Sequence, residues 1–135
     1  MSIIILIKEE IIEAFKDLVR STDIEVAGFL LGITSGNSAY AKELVVLDNV
    51  DLSPYSFRMD PYGIVHAYRL AEILNFDVVA LIHSHPAPSY PSIRDIDGMK
   101  LWPIIWVIVS SIDMGYRAWI IRGEILEEVE VVLTN

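Results

Sequence analysis

Asp77 to His83 is the stretch that most narrows what this chain can fold into. Val78, Val79, Ala80, Leu81 and Ile82 follow one another without a polar break. The run has strand length and no solvent face, so it reads as a strand covered on both sides. A covered strand needs neighbours in its sheet and other elements packed on each face, which points to an α/β domain.

The remaining elements fit around it, divided by Gly and Pro with no internal repeat. Ile3 to Ile7 is expected as an edge strand. Lys8 to Arg20 carries Ile11, Ile12, Phe15, Leu18 and Val19 at the spacing of one helix face, with Glu9 and Glu10 where the helix dipole favours acid. Glu25 to Ile33 and Ala39 to Leu47 flank the turn signal Thr34-Ser-Gly-Asn-Ser38, a hairpin pattern. Asn49 to Met59 is irregular. Asp60-Pro61 starts a second helix, the carboxylate as cap and the proline in the first turn, followed by Tyr62 to Asn75. A third helix runs from Ser92 to about Leu101, and Ile104 to Ser110, Tyr116 to Arg122 and Ile125 to Leu133 close the chain as strands. The sum is one domain over residues 1–135, a mixed sheet of six or seven strands with three helices.

Composition limits the chemistry. There is no cysteine, so disulfides and thiolate sites are excluded and a transition metal needs His, Asp or Glu. A formal charge of −9 argues against nucleic acid and anionic membrane as partners. The longest apolar run, Leu101 to Ile112, is 12 uncharged residues, short of the ~20 a spanning helix requires. The first residues show neither a basic leader nor a small-residue cleavage site, so a cytoplasmic protein is expected.

The histidines carry the functional signal. His83 and His85 stand at i and i+2 at the end of the apolar strand, so their side chains project to the same side. Two parallel imidazoles suit one metal ion, and His₂ plus a carboxylate is a standard catalytic zinc set. The proline-stiffened loop Pro86 to Pro91 returns the chain to Ser92 and Asp95, which makes Asp95 the third ligand. Ser92-Ile-Arg-Asp95 is also a capping box, so cap and ligand compete for Asp95, and the conjunction within 83–95 favours the metal. His66, without a partner pattern, reads as a surface residue. A His₂-carboxylate site leaves the reaction open, since non-heme iron oxygenases use a similar triad. In Glu25-Val-Ala-Gly-Phe-Leu-Leu-Gly32, Glu25 alone reads as a charge at a strand end, while Gly28 and Gly32 permit close packing.

Taken together, Glu25-x-Ala-Gly-x-Leu-x-Gly32, Met59-Asp-Pro61, the strand ending in His83-Ser-His85-Pro86, and Pro91-Ser92-x-x-Asp95 resemble the JAMM (MPN-plus, JAB1/MPN/Mov34) metalloprotease family. Order and approximate distances match over essentially the whole chain, as in a small archaeal or bacterial member. One departure is the loop between His85 and Ser92, six residues (86–91) and one fewer than in the commonest form of the motif. The resemblance implies a three-layer α/β sandwich with a curved mixed sheet, similar to that of cytidine deaminases. It also implies one zinc bound by His83, His85 and Asp95, with Glu25 as general base and Ser92 supporting the oxyanion.

The activity so implied is hydrolysis of the isopeptide or peptide bond after the C-terminal Gly-Gly of a ubiquitin-like modifier, its extended tail beside an exposed strand edge. Partners would be such modifiers or their conjugates, and a homodimer is left open. Two alternatives stand beside it: processing of a sulfur-carrier ubiquitin-like protein, and a non-catalytic MPN scaffold.

Overall fold

The structure is a computed structural model that describes residues 2–53 and 57–135. Among them the elements follow as β1 (Ile4–Lys8), α1 (Glu9–Arg20), β2 (Ala27–Ser35), β3 (Ser38–Leu47), α2 (Pro61–Leu74), β4 (Asp77–His85), α3 (Ile93–Leu101), β5 (Ile105–Ser110), β6 (Tyr116–Arg122) and β7 (Ile125–Thr134). In the irregular stretch after β3, Pro54, Tyr55 and Ser56 lie outside the described residues.

Local chemistry accounts for the helices. In α1 the buried side chains are Ile11, Ile12, Phe15 and Val19, each contributing about 2 kcal/mol through its removal from water. Leu18, expected on the same face, is 36 % exposed. Asp60 caps α2 by accepting the Tyr62 N–H at 3.1 Å, and Asn75 ends it in the left-handed region at φ 58°, a conformation Asn tolerates better than most residues.

The sheet is mixed, and it closes in the order β1-β3-β2-β4-β5-β6-β7. Closure corrects the expected place of β1. β1 is no edge: it pairs in parallel with both β3 and β7, and Ile5 and Ile7 are fully buried between them. The mixed sheet is as expected, and its ends meet. β1 is short, however, and reaches only Ser38 to Ala41 of β3. From residue 43 to 47, β3 has one strand neighbour among the described residues, β2.

Two cores form, one on each face of the sheet. α1 packs with Ile5, Ile7, Ala80, Ile82 and Val107. On the other face Ala67 and Ala71 of α2 and Met99 of α3 pack with Phe29, Leu81 and Trp106. Ile82 and Leu81 thus face opposite cores, the two-sided burial that β4's unbroken apolar run requires. Gly32 matters at the bulge between β2 and β3, where a Cβ would lie 1.7 Å from the Tyr40 carbonyl oxygen. The close approach is therefore to neighbouring strand backbone.

Candidate metal centre

β4 extends two residues beyond the expected His83, so both histidines belong to the strand and leave its end on one side. They are buried, 1 % and 6 % exposed, and so is Asp95 at the start of α3. His83 Nε2 lies 3.0 Å from Asp95 Oδ1, and His85 Nδ1 lies 3.5 Å from Asp95 Oδ2. One ligand atom from each of the three residues falls within 4.8 Å of the others.

The ring nitrogens facing away from Asp95 fix the roles of those facing it. His85 Nε2 sits 2.7 Å from the Pro88 carbonyl, and His83 Nδ1 sits 3.2 Å from the Ser84 carbonyl. A carbonyl only accepts, so both nitrogens donate, and either ring, when neutral, turns its lone pair toward Asp95. His83 Nε2 is close to the carboxylate yet has no aligned hydrogen bond, and it is buried from solvent. Lone pairs facing a carboxylate at such distances call for a cation between them. The site favours positive charge: burial pushes the His83 imidazolium down, but Asp95 and Glu25 outweigh it and raise the group to about 9, so that without a metal a proton on the ring fills that role. For Asp95, burial alone would raise the carboxyl; His83, His85 and the Ser92 N–H instead hold it well below the usual carboxylate range.

The capping box and the ligand role do not compete as expected. Asp95 Oδ2 accepts the Ser92 N–H at 2.9 Å while Oδ1 faces His83, so one carboxylate serves both. In return Ser92 Oγ accepts the Asp95 N–H at 3.0 Å. The hydroxyl keeps its proton to donate, beside a cavity of about 560 Å³ that Ser92 lines with Glu25, Phe57, Met59 and Trp102.

Glu25 precedes β2 by two residues rather than heading it. It is 5 % exposed, and its Oε1 lies 3.7 Å from His83 Nδ1. What places it there was not legible in the sequence. Ser84, on the other side of β4 from the histidines, accepts the Val26 N–H on its Oγ and donates its own N–H to the Val26 carbonyl, both at 2.9 Å. The Glu25 N–H donates to the Ser53 carbonyl at 2.8 Å, and its carbonyl accepts from Asn49 Nδ2 at 3.1 Å. Buried Asn49 also accepts the N–H groups of Asp51 and Arg58, stitching the irregular segment to Glu25.

The short loop is held from outside. Trp119 Nε1 donates to the Ser89 carbonyl at 2.9 Å. Tyr90 leans on the Trp119 ring at 5.3 Å, and Arg117 lies over Tyr90 at 4.6 Å while holding both oxygens of Glu128. Phe57 and Trp106 wall the His83 ring at 4.7 and 5.7 Å. His66 is exposed on α2, as expected.

A sheet with two histidines at a strand end, a carboxylate at the next helix start and a buried glutamate from a distant segment has known relatives. The profile described as prokaryotic homologs of the JAB domain matches residues 9–122, and the chain belongs to that family as a small prokaryotic member. It is similar to a desampylase of Pyrococcus furiosus, 36 % identical over 131 residues that cover 96 % of this chain and 90 % of that one. The solution structure of protein DSY2949 from Desulfitobacterium hafniense shares the fold, with a TM-score of 0.85 and 24 % identity over 97 % of this chain and 93 % of that one. Among the described residues no helix is long and apolar enough to cross a membrane.

Proposed function

We propose that this chain is a zinc metallopeptidase of the JAMM kind, which hydrolyses the amide bond after the C-terminal Gly-Gly of a ubiquitin-like modifier. The observation that carries the reading is the convergence of His83 Nε2, His85 Nδ1 and Asp95 on one buried locus with Glu25 beside it. Family membership and the relative named desampylase support the substrate class. Helices on both faces of the sheet support the kinship with the three-layer, cytidine-deaminase-like folds, here with a closed sheet.

His83, His85 and Asp95 would hold one zinc per chain, a donor set that leaves a coordination position open. Zinc bound there supplies Lewis acidity, lowering the pKa of a water to about 7 and polarising the amide carbonyl. Glu25 takes a proton from the attacking water and passes it to the amine as the C–N bond breaks. Ser92, with its hydroxyl proton uncommitted, donates to the developing oxyanion, a contribution of about 3 kcal/mol from single donors in other hydrolases. The 43–47 part of β3, with a single strand neighbour among the described residues, is one edge left for an extended tail. The −9 charge suits work in the cytoplasm on protein partners rather than on nucleic acid or membrane.

The test is direct. Purified protein should carry about one zinc per chain and release a reporter fused after Gly-Gly, with chelation abolishing release and zinc restoring it. Folded protein that takes up no zinc would favour the scaffold alternative. Reporter release confined to sulfur-carrier fusions, with lysine conjugates untouched, would favour processing.

A further inference from the structure

A second cavity, about 280 Å³, also adjoins the candidate metal centre. Both cavities border Glu25, His85 and Pro86, but Ser92 and Asp95 line only the larger one. The smaller is walled by the end of α1, the segment 22–25, the end of β4 and the turn after β5. Val19, Ile24 and Met114 give it apolar walls, Thr22, Asp23, Ser84 and Ser111 give it polar groups, and Arg20, paired with Asp17 at 3.1 Å, also borders it. Its walls are tied to the site: the Ser111 N–H donates to the His85 carbonyl at 3.0 Å, and the Val26 backbone is bound on both sides by Ser84.

Amide hydrolysis separates two halves at one bond, and the two need different neighbours. The acyl carbonyl needs an oxyanion donor, and Ser92 offers one in the larger cavity. The departing nitrogen needs a proton from Glu25, which borders both. From these placements we infer that the smaller cavity is the leaving-group site, taking the aliphatic stem of the lysine whose ε-nitrogen is released. This rests on the isopeptidase reading and assigns the direction in which substrate crosses it. The volume is below the usual range for whole small-molecule sites, so it suits one side chain rather than a folded partner. Val19, Ile24 and Met114 would pack against the methylenes. Glu25 would deliver the proton taken from water, so that a carboxylic acid and an amine result.

The experiment compares two substrates with the same Gly-Gly-terminated modifier: one joined to the ε-nitrogen of Nα-acetyl-lysine amide, the other an N-methylamide whose leaving group is too small to fill the cavity. Zinc-loaded wild-type protein should favour the lysine conjugate in kcat/KM by about tenfold or more, since each methylene in a fitted pocket contributes appreciably. Thr22→Trp, and independently Ser111→Trp from the facing wall, should each collapse that ratio toward one, with zinc content and thermal unfolding measured to verify the fold. A ratio that both folded variants leave at the wild-type value overturns the site. Cleavage of both substrates by wild type without a lysine preference overturns it too, while the isopeptidase reading stands. Cleavage of neither by wild type overturns that reading and the site with it.

Discussion

The stretch 83–95 and the residue Glu25 supply the same centre by opposite means. His83, His85 and Asp95 come from one strand, one stiff loop and one helix start, and their geometry is largely local. Two histidines share a strand face because the side-chain period is 2, and Asp95 is aimed by the cap it makes with Ser92. Glu25 stands 58 residues earlier in no regular element and reaches His83 only through borrowed contacts with Ser84, Asn49 and Ser53. The proposed ligands are thus placed by secondary structure, and the proposed base by tertiary hydrogen bonds.

The comparison can be broken most severely at Asp95. Asp95→Ala should reduce bound zinc to near zero and cleavage to background, and should also cost about 1 kcal/mol of stability through the lost cap. Elemental analysis and thermal unfolding of the same preparation read both effects, and a variant that keeps its zinc would show that Asp95 is only a cap. Glu25→Gln tests the other half: zinc content unchanged and turnover down by about 10² to 10⁴. Undiminished turnover would remove Glu25 from the mechanism.

Ser84→Ala sharpens the distinction, because Ser84 lies outside the candidate ligand set and acts on Glu25 through the Val26 backbone. It leaves the buried Val26 N–H without its partner, a loss of about 1–3 kcal/mol in urea unfolding. If Ser84 positions Glu25, kcat should fall about tenfold or more with zinc affinity retained, since small misplacements of a catalytic group are costly. A fall in stability with kcat unchanged would reduce Ser84 to packing. Trp119→Phe is the mildest, removing the N–H that holds the Ser89 carbonyl while keeping an aromatic ring. About 1 kcal/mol of stability should go, with zinc affinity a few-fold weaker by chelator competition, as outer contacts orient the ligands. Trp119→Ala should do more on both counts, because the Tyr90 and Arg117 contacts go with the ring.

The helices were readable because their signals are local: the face of Ile11, Ile12, Phe15 and Val19, the Asp60-Pro61 start, and the Ser92 cap. β4 was readable from its unbroken apolar run, and its histidines from their spacing. β1 was misplaced because a five-residue apolar run looks the same at an edge as between two strands; only β3 and β7 arriving on either side distinguish the cases. Closure of the sheet is likewise a property of all seven strands, which no window of sequence holds.

Sequence by itself singled out the candidate ligand set, since periodicity, a stiff loop and a capping box operate within 13 residues (83–95). It also determined, through its family motif, that Glu25 was worth watching. The tertiary structure alone decided that one carboxylate could both cap α3 and face two imidazoles, because that depends on where each oxygen points. It alone brought the buried Ser84 and Asn49 to the backbone around Glu25, because a glutamate outside any strand has no local rule to place it. The smaller cavity bordered by Glu25 exists only where α1, β4 and the turn after β5 meet, three elements whose encounter depends on the whole fold.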